Sequence, residues 1–331
     1  MGKKLTYLEE RRSSTLEKFK ELQINVADLN KILGDKACIY ATGSFGRLEA
    51  GSKSDLDLFI VSKVAKDGEK TVNLLSNLDV ILAKAELIRA VRNMNLPDFD
   101  GDGKYLTCHA VSDFLIHLGS PEDDYRNTLT GRLLMFLEGR AVVGEDVFNE
   151  VIEEVIAEYF RDYADHSDAF IPAFLCNDIL RLWRTFCVNY EFARRKNISA
   201  QEKARIKNLK LKHSRMLTCY SAICFLLYCY KKNRTVTPQD AKEMVSLTPT
   251  DRLTHIAREA NDPKLAEAND DLISRYSEFL KTTDMPDEEL QHEVSENWKA
   301  WEEKSYDFGD KLNFYLKTLG EETRFFRLLV I

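Results

Sequence analysis

Residues 43–57 read Gly-Ser-Phe-Gly-Arg-Leu-Glu-Ala-Gly-Ser-Lys-Ser-Asp-Leu-Asp and connect two apolar segments. The segment before them, residues 37–42, is Ala-Cys-Ile-Tyr-Ala-Thr, and the one after them begins Leu-Phe-Ile-Val. Short apolar runs bounded by small and polar residues are typical of buried strands, so we predict a strand, a turn and a second strand. Asp55 and Asp57 stand two apart at the head of the second strand, where alternate residues project from the same face. The sequence therefore predicts a turn of small residues beside a pair of carboxylates.

This combination of residues is suited to a phosphate and a divalent metal ion. Gly43 has no Cβ, so its backbone can approach a phosphate oxygen, and Ser44 adds a hydroxyl donor. The two carboxylates can bridge two Mg²⁺ (or Mn²⁺) ions roughly 3.5–4 Å apart. Both features together predict chemistry on a nucleoside triphosphate, either an NTP or a dNTP. The alternative is a polar loop that opens an ordinary strand, because Asp-x-Asp by itself is common.

The order of these residues resembles the polymerase-β-like nucleotidyltransferase superfamily, whose pattern is an apolar strand, Gly-[Gly/Ser], a spacer and Asp-x-[Asp/Glu]. The string Gly-Ser-Phe-Gly-Arg-Leu-Glu, followed by Ser-Asp-Leu-Asp-Leu, is similar to the PII uridylyltransferase branch, and the resemblance covers residues 37–61. It implies that Gly43 and Ser44 contact the nucleotide phosphates and that Asp55 and Asp57 bind the catalytic metal ions. Arg47, which follows the turn, is our further candidate for a phosphate ligand.

Enzymes of that superfamily usually add a third carboxylate from a neighbouring strand, as a base or a metal ligand. Asp102 is our candidate, together with Asp100 in the same Gly-containing loop, residues 97–103. Asp113 lies within or just after a strand predicted from residue 104 and is the other candidate. Without a third carboxylate, the acidic pair would bind a nucleotide without catalysing transfer.

Length and composition restrict the class of protein. A chain of 331 residues with 31% charged and 44% hydrophobic residues is typical of a soluble globular protein with up to two domains. No apolar run reaches the length of a membrane span, and the N-terminus lacks the apolar core of a secretory signal. Seven cysteines without Cys-x-x-Cys spacing indicate buried thiols and argue against a zinc site. We therefore predict a cytoplasmic protein without a membrane partner.

Helical patterns predominate outside the strand–turn–strand segment. Amphipathic helices are predicted over residues 5–34 and 69–95, and nearly all of the chain after residue 147 has helical spacing. The predicted fold class is α+β: a small mixed-sheet nucleotidyltransferase catalytic domain, residues 1–165, is followed by an α-helical domain, residues 166–331. We expect the nucleotide cleft between them.

Positive charge is concentrated in the predicted helical domain. The stretch from Arg181 to Arg234 has 14 Lys and Arg residues and two acids, a local net charge of +12 in a chain of net charge −7. No glutamate between Lys203 and Arg234 is placed for pairing along a helix, which favours an external anion over a solvated basic face. Residues 208–215 are similar to a Lys-bearing segment of the uridylyltransferase branch. The similarity implies that Lys210 or Lys212, together with Ser214, holds the triphosphate tail, and we take all three as candidates.

Three functions fit this sequence. The first is Mg²⁺-dependent transfer of NMP or dNMP from a triphosphate to a hydroxyl acceptor, with release of pyrophosphate. The layout resembles bacterial anti-phage synthases, in which the acceptor is another nucleotide and the nucleotide or oligonucleotide product acts on a partner effector protein. The second is transfer of UMP or AMP to a protein hydroxyl. The third is an inactive nucleotidyltransferase fold that binds nucleic acid.

Overall fold

The computed structural model describes residues 6–68, 70–103, 106–196 and 201–329. Close contacts divide the chain into two compact units. We call Glu9–Glu158 the sheet unit, and Tyr159–Ile331 with the N-terminal residues up to Leu8 the helical unit. The division into domains 1–165 and 166–331 stays a prediction.

The sheet unit combines six short strands with helices. In chain order its elements are α1 Tyr7–Asn25, α2 Leu29–Leu33, β1 Ala37–Ala41, α3 Gly43–Gly46, β2 Leu58–Ser62, β3 Val64–Asp67, β4 Lys70–Asn73, α4 Asn77–Asn93, a 3-10 turn Asp100–Gly103, β5 Cys108–Ala110, α5 Val111–Ile116, α6 Pro121–Tyr125, α7 Thr128–Glu138, β6 Arg140–Val143 and α8 Glu145–Tyr159.

Four of these strands form a mixed sheet in the order β5-β2-β1-β6. β1 is antiparallel to both β2 and β6, whereas β5 is parallel to β2, with Ile60 opposite Cys108. β1 and β2 are buried along their whole length, as expected for continuous apolar runs in the middle of a covered sheet. The predicted α+β fold, a small mixed sheet followed by a largely helical region, is confirmed.

The two faces of the sheet are covered by different sets of side chains, because neighbouring residues of a strand point to opposite faces. On one face Ile39 and Ile60 belong to a buried apolar cluster that includes residues of α1, α2 and α4. On the other face Tyr40 stacks on Phe59 with ring centroids 5.4 Å apart, and its hydroxyl donates to the Gly131 carbonyl of α7 at 2.9 Å. Side chains thus pack on both faces of β1 and β2. Because the two strands are antiparallel, the end of β1 and the start of β2 lie at the same edge of the sheet, where the connecting turn is found.

The helix predicted over residues 69–95 begins later than expected. β3 and β4 form a separate antiparallel hairpin, and α4 begins only at Asn77. The hydroxyl of Ser76 accepts the Asp79 backbone N–H at 3.2 Å and caps the helix. The prediction was wrong at the start of this range because Thr71 and Val72, which are β-branched, pair with β3, so strand pairing prevails over the helical spacing of the apolar residues.

An ion pair between α6 and α7 is completely buried in the sheet unit. The guanidinium of Arg132 donates to both carboxylate oxygens of Asp123, at 2.9 and 2.8 Å, and to the Phe114 carbonyl at 3.1 Å. Burial by itself would raise the pKa of Asp123, but the hydrogen bonds from Arg132 and Thr128 outweigh it and hold that pKa below its usual value. Asp123 is therefore charged at neutral pH, and the pair ties the two helices together.

The helical unit has no strands in its described residues. Its elements are a 3-10 turn Ala164–His166, α9 Ala173–Lys196, α10 Gln201–Lys210, one π-helical turn Leu211–Arg215, α11 Met216–Asn233, α12 Pro238–Ser246, α13 Pro249–Glu259, α14 Pro263–Thr283, α15 Asp287–Glu296, α16 Trp298–Gly320 and α17 Arg324–Leu328.

Helix α11 is the centre of the helical unit. It contacts α9, α12, α13, α16 and α17, and most of its side chains are buried, as its apolar composition predicts. His213, in the π-helical turn before it, is buried between Phe279 and Phe308 and stacks on Phe279 with ring centroids 4.5 Å apart. Within the described ranges, no helix is both long and apolar enough to span a lipid bilayer.

Candidate active site

The turn after β1 is closed tightly and presents one polar side chain. Gly43 has a φ of +63°, a left-handed conformation that favours glycine, and it opens the single helical turn α3. The Gly46 N–H donates to the Thr42 carbonyl at 3.1 Å. Every residue from position 41 to position 51 is buried except Ser44, which is partly exposed. Ser44 is therefore the residue of this turn whose hydroxyl a ligand can reach.

Asp57 lies directly against the turn. Its carbonyl accepts the Thr42 N–H at 2.9 Å, which extends the β1–β2 pairing by one step. A Cβ placed on Gly43 would lie only 2.8 Å from Asp57 Oδ2. The glycine is therefore required twice, once by its positive φ and once by the space that the carboxylate occupies. The structure thus places the carboxylate of Asp57 against Gly43, with Ser44 next in the chain.

Asp55 and Asp57 precede β2, which begins at Leu58, so they lie on the approach to the strand and not within it. Both side chains are exposed. Carboxylate oxygens are the ligands that Mg²⁺ prefers, and two of them leave the remaining positions to triphosphate oxygens and water. Two exposed carboxylates, one of them against the Cβ-less Gly43, fit a nucleotide-bound Mg²⁺ ion. The metal assignment of Asp55 and Asp57 stays a prediction.

The three candidates for a third carboxylate lie in two segments on either side of β5. Asp100 and Asp102 are in the exposed 3-10 turn before β5, and Asp102 has a φ of +58°. Asp113 is in the first turn of α5, where its Oδ2 accepts the Ala110 N–H at 3.3 Å. Over residues 6–68, 70–103, 106–196 and 201–329, no group of three or more His, Cys, Asp or Glu side chains is arranged to hold a metal ion. Asp102 as the third carboxylate stays a prediction.

Arg47, our further candidate for a phosphate ligand, lies in a buried ion-pair network. Its Nη1 is 2.7 Å from Glu138 Oε2, and its Nε is 2.8 Å from Glu49 Oε2. The second oxygen of Glu138, Oε1, accepts the Gly43 N–H at 2.9 Å. Arg11 approaches the same place, because its guanidinium donates to the Glu49 carbonyl oxygen at 3.1 and 2.7 Å. In this arrangement Arg47 supports the turn from inside the protein.

Glu138 is a residue of the site that the sequence did not predict. It follows the apolar run Leu-Leu-Met-Phe-Leu at the end of α7, 95 residues after Gly43. An acidic residue at the end of an apolar helix is a weak sign of a buried charge, because acids are seldom fully buried unless they are paired. Nothing in the sequence indicates that its partners are Gly43 and Arg47.

In the helical unit, the residues predicted to hold the triphosphate differ in exposure. Lys210 is exposed, and so are Lys203 and Lys207, which lie on the same face of α10. The ammonium of Lys212 lies 4.1 Å from the centroid of the Tyr306 ring. Ser214 is buried, and its hydroxyl donates to the Lys210 carbonyl at 2.9 Å. The lysines are thus placed for an anion, whereas the Ser214 hydroxyl already has a partner within its own helical turn.

The positive charge of this region is partly accommodated within the helical unit. Arg205 lies over the Trp298 ring at 5.1 Å, and Arg215 lies over Phe186 at the same distance. The acid-rich helix α15 contacts α10. The arginines thus have partners inside the helical unit. The prediction that an external anion binds here therefore depends mainly on the exposed lysines.

Comparison with known proteins identifies one domain. The family model of the nucleotidyltransferase domain matches residues 24–97, which contain β1, the Gly43 turn, both aspartates and β2. Neither curated proteins nor solved structures gave a match to the chain. Residues 24–97 are thus a nucleotidyltransferase domain of the polymerase-β-like type, as the motif predicted.

The enzyme class follows from this domain. A nucleotidyltransferase domain implies transfer of a nucleoside monophosphate from a nucleoside triphosphate, so residues 24–97 indicate an enzyme of the nucleotidyltransferase class. The match places the domain in the superfamily and does not distinguish between its branches.

Proposed function

We propose that the sheet unit transfers NMP or dNMP from a Mg²⁺-bound NTP or dNTP to a hydroxyl acceptor and releases pyrophosphate. The observation that carries this proposal is the contact between the Gly43 turn and the carboxylate of Asp57. A phosphate held at Ser44 and a cation held at Asp57 would be neighbours, and transfer of a phosphoryl group depends mainly on such positioning and charge.

Each residue of the site has a defined part in this proposal. Asp55 and Asp57 would hold the Mg²⁺ ion, which when bound neutralises the charge that develops on the phosphate oxygens. The Ser44 hydroxyl donates to a phosphate oxygen, and the bare Cα of Gly43 lets that phosphate come close. Arg47 contributes from beneath the turn, and Asp102 is the proposed base for the acceptor hydroxyl.

We also propose that the exposed lysines of the helical unit bind the polyanionic part of a nucleotide substrate or product. Lys210 is exposed at the end of α10, and the ammonium of Lys212, a half-buried residue, lies over the Tyr306 ring. Ser214 would contribute only if its hydroxyl left the Lys210 carbonyl. The positive charge of this face favours a nucleotide as the acceptor over a protein hydroxyl.

With a nucleotide acceptor the product is a nucleotide or an oligonucleotide, the kind of product used in bacterial defence signalling. An incubation of the protein with each labelled NTP and dNTP, with Mg²⁺ or Mn²⁺, tests this directly once the products are separated by size. A ladder or a cyclic product is expected. Label that appears only on added protein would indicate protein nucleotidylylation instead, and no product with any triphosphate would leave a nucleic-acid-binding protein as the remaining function.

The acidic pair has its own test. Asp55→Ala with Asp57→Ala is expected to abolish the product, because the cation loses both protein ligands. Asp67→Ala, which removes an exposed carboxylate at the end of β3, is the matched control and is expected to keep full activity. Unchanged turnover in the double variant would remove the metal assignment.

The basic face is tested by reversing its charge. Lys210→Glu with Lys212→Glu is expected to weaken nucleotide binding about tenfold, since two attractive charges become repulsive. Lys264→Glu with Lys299→Glu makes the same change of net charge at exposed positions elsewhere in the helical unit. Equal affinity in both double variants would show that Lys210 and Lys212 belong to a solvated surface and do not bind the nucleotide.

A further inference from the structure

Glu138 is a buried carboxylate in contact with the turn that carries Gly43, so it can affect the geometry of the candidate site. Its two oxygens have different partners: Oε1 accepts the backbone N–H of Gly43 at 2.9 Å, and Oε2 accepts the guanidinium of Arg47 at 2.7 Å. The side chain of Glu138 is fully buried, and that of Arg47 is 7% exposed. A buried carboxylate is stable only when it is paired and hydrogen-bonded, and here both conditions are met by residues of the turn.

The turn and Glu138 also meet through their main chains. Gly46 packs against the end of α7 so closely that a Cβ on it would collide with the carbonyl oxygen of Glu138. Thus Gly43, at the start of α3, contacts the side chain of Glu138, and Gly46, at its end, contacts the main chain. Both ends of the helical turn α3 therefore contact the same residue of α7, Glu138.

The contact between Glu138 and Gly43 also affects the two residues that would face the ligand, Ser44 and Asp57. Gly43 holds a left-handed conformation, and Asp57 Oδ2 lies against its Cα. Ser44, the partly exposed residue of the turn, follows Gly43 directly. Any change in the orientation of the peptide group at Gly43 therefore moves Ser44 and alters the space available to Asp57.

We propose that Glu138 is a positioning residue of the nucleotide site, which acts through Gly43 to set Ser44 and Asp57; the inference rests on the proposed function. The Gly43 N–H is then bound inside the protein by Glu138, and the phosphate contact at this turn comes from Ser44. Arg47 completes this arrangement, because its guanidinium pairs with the second oxygen of Glu138.

Glu138→Gln tests this directly. A glutamine offers one acceptor oxygen and one NH₂ group to two donors, the Gly43 N–H and the Arg47 Nη1, so one of the two contacts is lost in either orientation. Glu49→Gln is the matched control: it makes the same charge change beside the same arginine, and its amide oxygen can still accept the Arg47 Nε–H. Glu138→Asp is a second variant, which keeps the charge and withdraws both oxygens by about one C–C bond length, ~1.5 Å.

Two measurements distinguish the hydrogen bond between Glu138 and Gly43 from its effect on nucleotide binding. The first is hydrogen exchange of the Gly43 amide, followed by NMR without nucleotide. The second is the affinity for the α,β-methylene analogues of ATP, GTP, CTP and UTP with Mg²⁺, which bind but cannot release pyrophosphate by α–β cleavage. We expect Glu138→Gln to speed exchange at Gly43 roughly fivefold or more, and to weaken the analogue that binds the wild type on the order of tenfold. Glu49→Gln should leave both nearly unchanged.

Other outcomes are equally decisive. If Glu138→Gln and Glu138→Asp both bind the analogue as the wild type does, Glu138 only stabilises the fold and the inference is wrong, whatever the exchange rate. If the Glu49 variant weakens binding as much as the Glu138 variants, the effect belongs to the charge network and not to Gly43, and the inference is again wrong. If the wild type binds none of the four analogues and none of their 2′-deoxy counterparts, the proposed function itself is refuted, and the exchange data still report whether Glu138 holds the turn.

Discussion

Substitution of Gly43 by alanine tests the feature on which the site depends. The position has a φ of +63°, and alanine in the left-handed region costs roughly 1–2 kcal/mol. The new Cβ would also lie 2.8 Å from Asp57 Oδ2, so to reach an ordinary separation of 3.4 Å the oxygen must move by about 0.6 Å. Asp57 is exposed and can move, so this second effect is expected in the function of the site more than in its stability.

Gly68 provides a matched control within the same unit. Its φ is +62°, and nothing lies within 4 Å of a Cβ placed on it. Gly68→Ala therefore carries the backbone cost alone, and we expect Gly43→Ala and Gly68→Ala to lower the free energy of unfolding by similar amounts, about 1–2 kcal/mol each. Catalysis should separate them, because a misplacement of this size costs on the order of tenfold in rate.

Two measurements decide the outcome. Far-UV circular dichroism in denaturant gives the free energy of unfolding, and tryptophan fluorescence serves as an internal control because all three tryptophans lie in the helical unit. Nucleotide transfer at increasing Mg²⁺ concentration reports on Asp57, and Gly43→Ala should need more Mg²⁺ than Gly68→Ala. Equal rates and equal Mg²⁺ requirements in the two variants would refute the placement of Asp57 against the turn.

Two further predictions concern the stability of each unit. Burial lowers the pKa of His213 to about 4, from an ordinary value of 6.5. Between these two pH values the unfolded chain therefore binds a proton more readily than the folded chain does. The free energy of unfolding of the helical unit should fall by up to about 3 kcal/mol as the pH drops from 6.5 to 4. Tryptophan fluorescence in urea measures this loss, which should vanish in His213→Phe and would be contradicted by a wild-type stability that does not change over that range. In the sheet unit, Asp123→Asn leaves the Arg132 guanidinium buried without its charge partner and should cost about 3–5 kcal/mol, whereas Asp123→Leu with Arg132→Leu should recover most of that stability. Circular dichroism in denaturant checks both variants, and a cost below about 1 kcal/mol for Asp123→Asn would show that the pair is not buried as described.

The sheet unit shows how far local patterns reach. The apolar runs around residues 43–57 predicted β1 and β2 correctly, because a strand with both faces covered is continuously apolar. A helix was wrongly predicted for residues 70–73, because the helical spacing of the apolar residues competes there with pairing to β3. Periodicity describes which side chains can be buried together, and it does not say which partner strand is available.

The candidate site divides in the same way. Sequence alone determined the Gly-Ser turn and the two aspartates, because their chemistry depends on residue type and on a spacing of a few residues: a position without Cβ, a hydroxyl next to it and two carboxylates before a buried strand. Only the tertiary structure decided that Asp57 lies against Gly43, that Arg47 is an internal ion-pair partner and that Glu138 holds the turn. The physical reason is that these contacts join residues up to 95 positions apart, and their geometry is set by how α7 packs on the sheet, which no local pattern records.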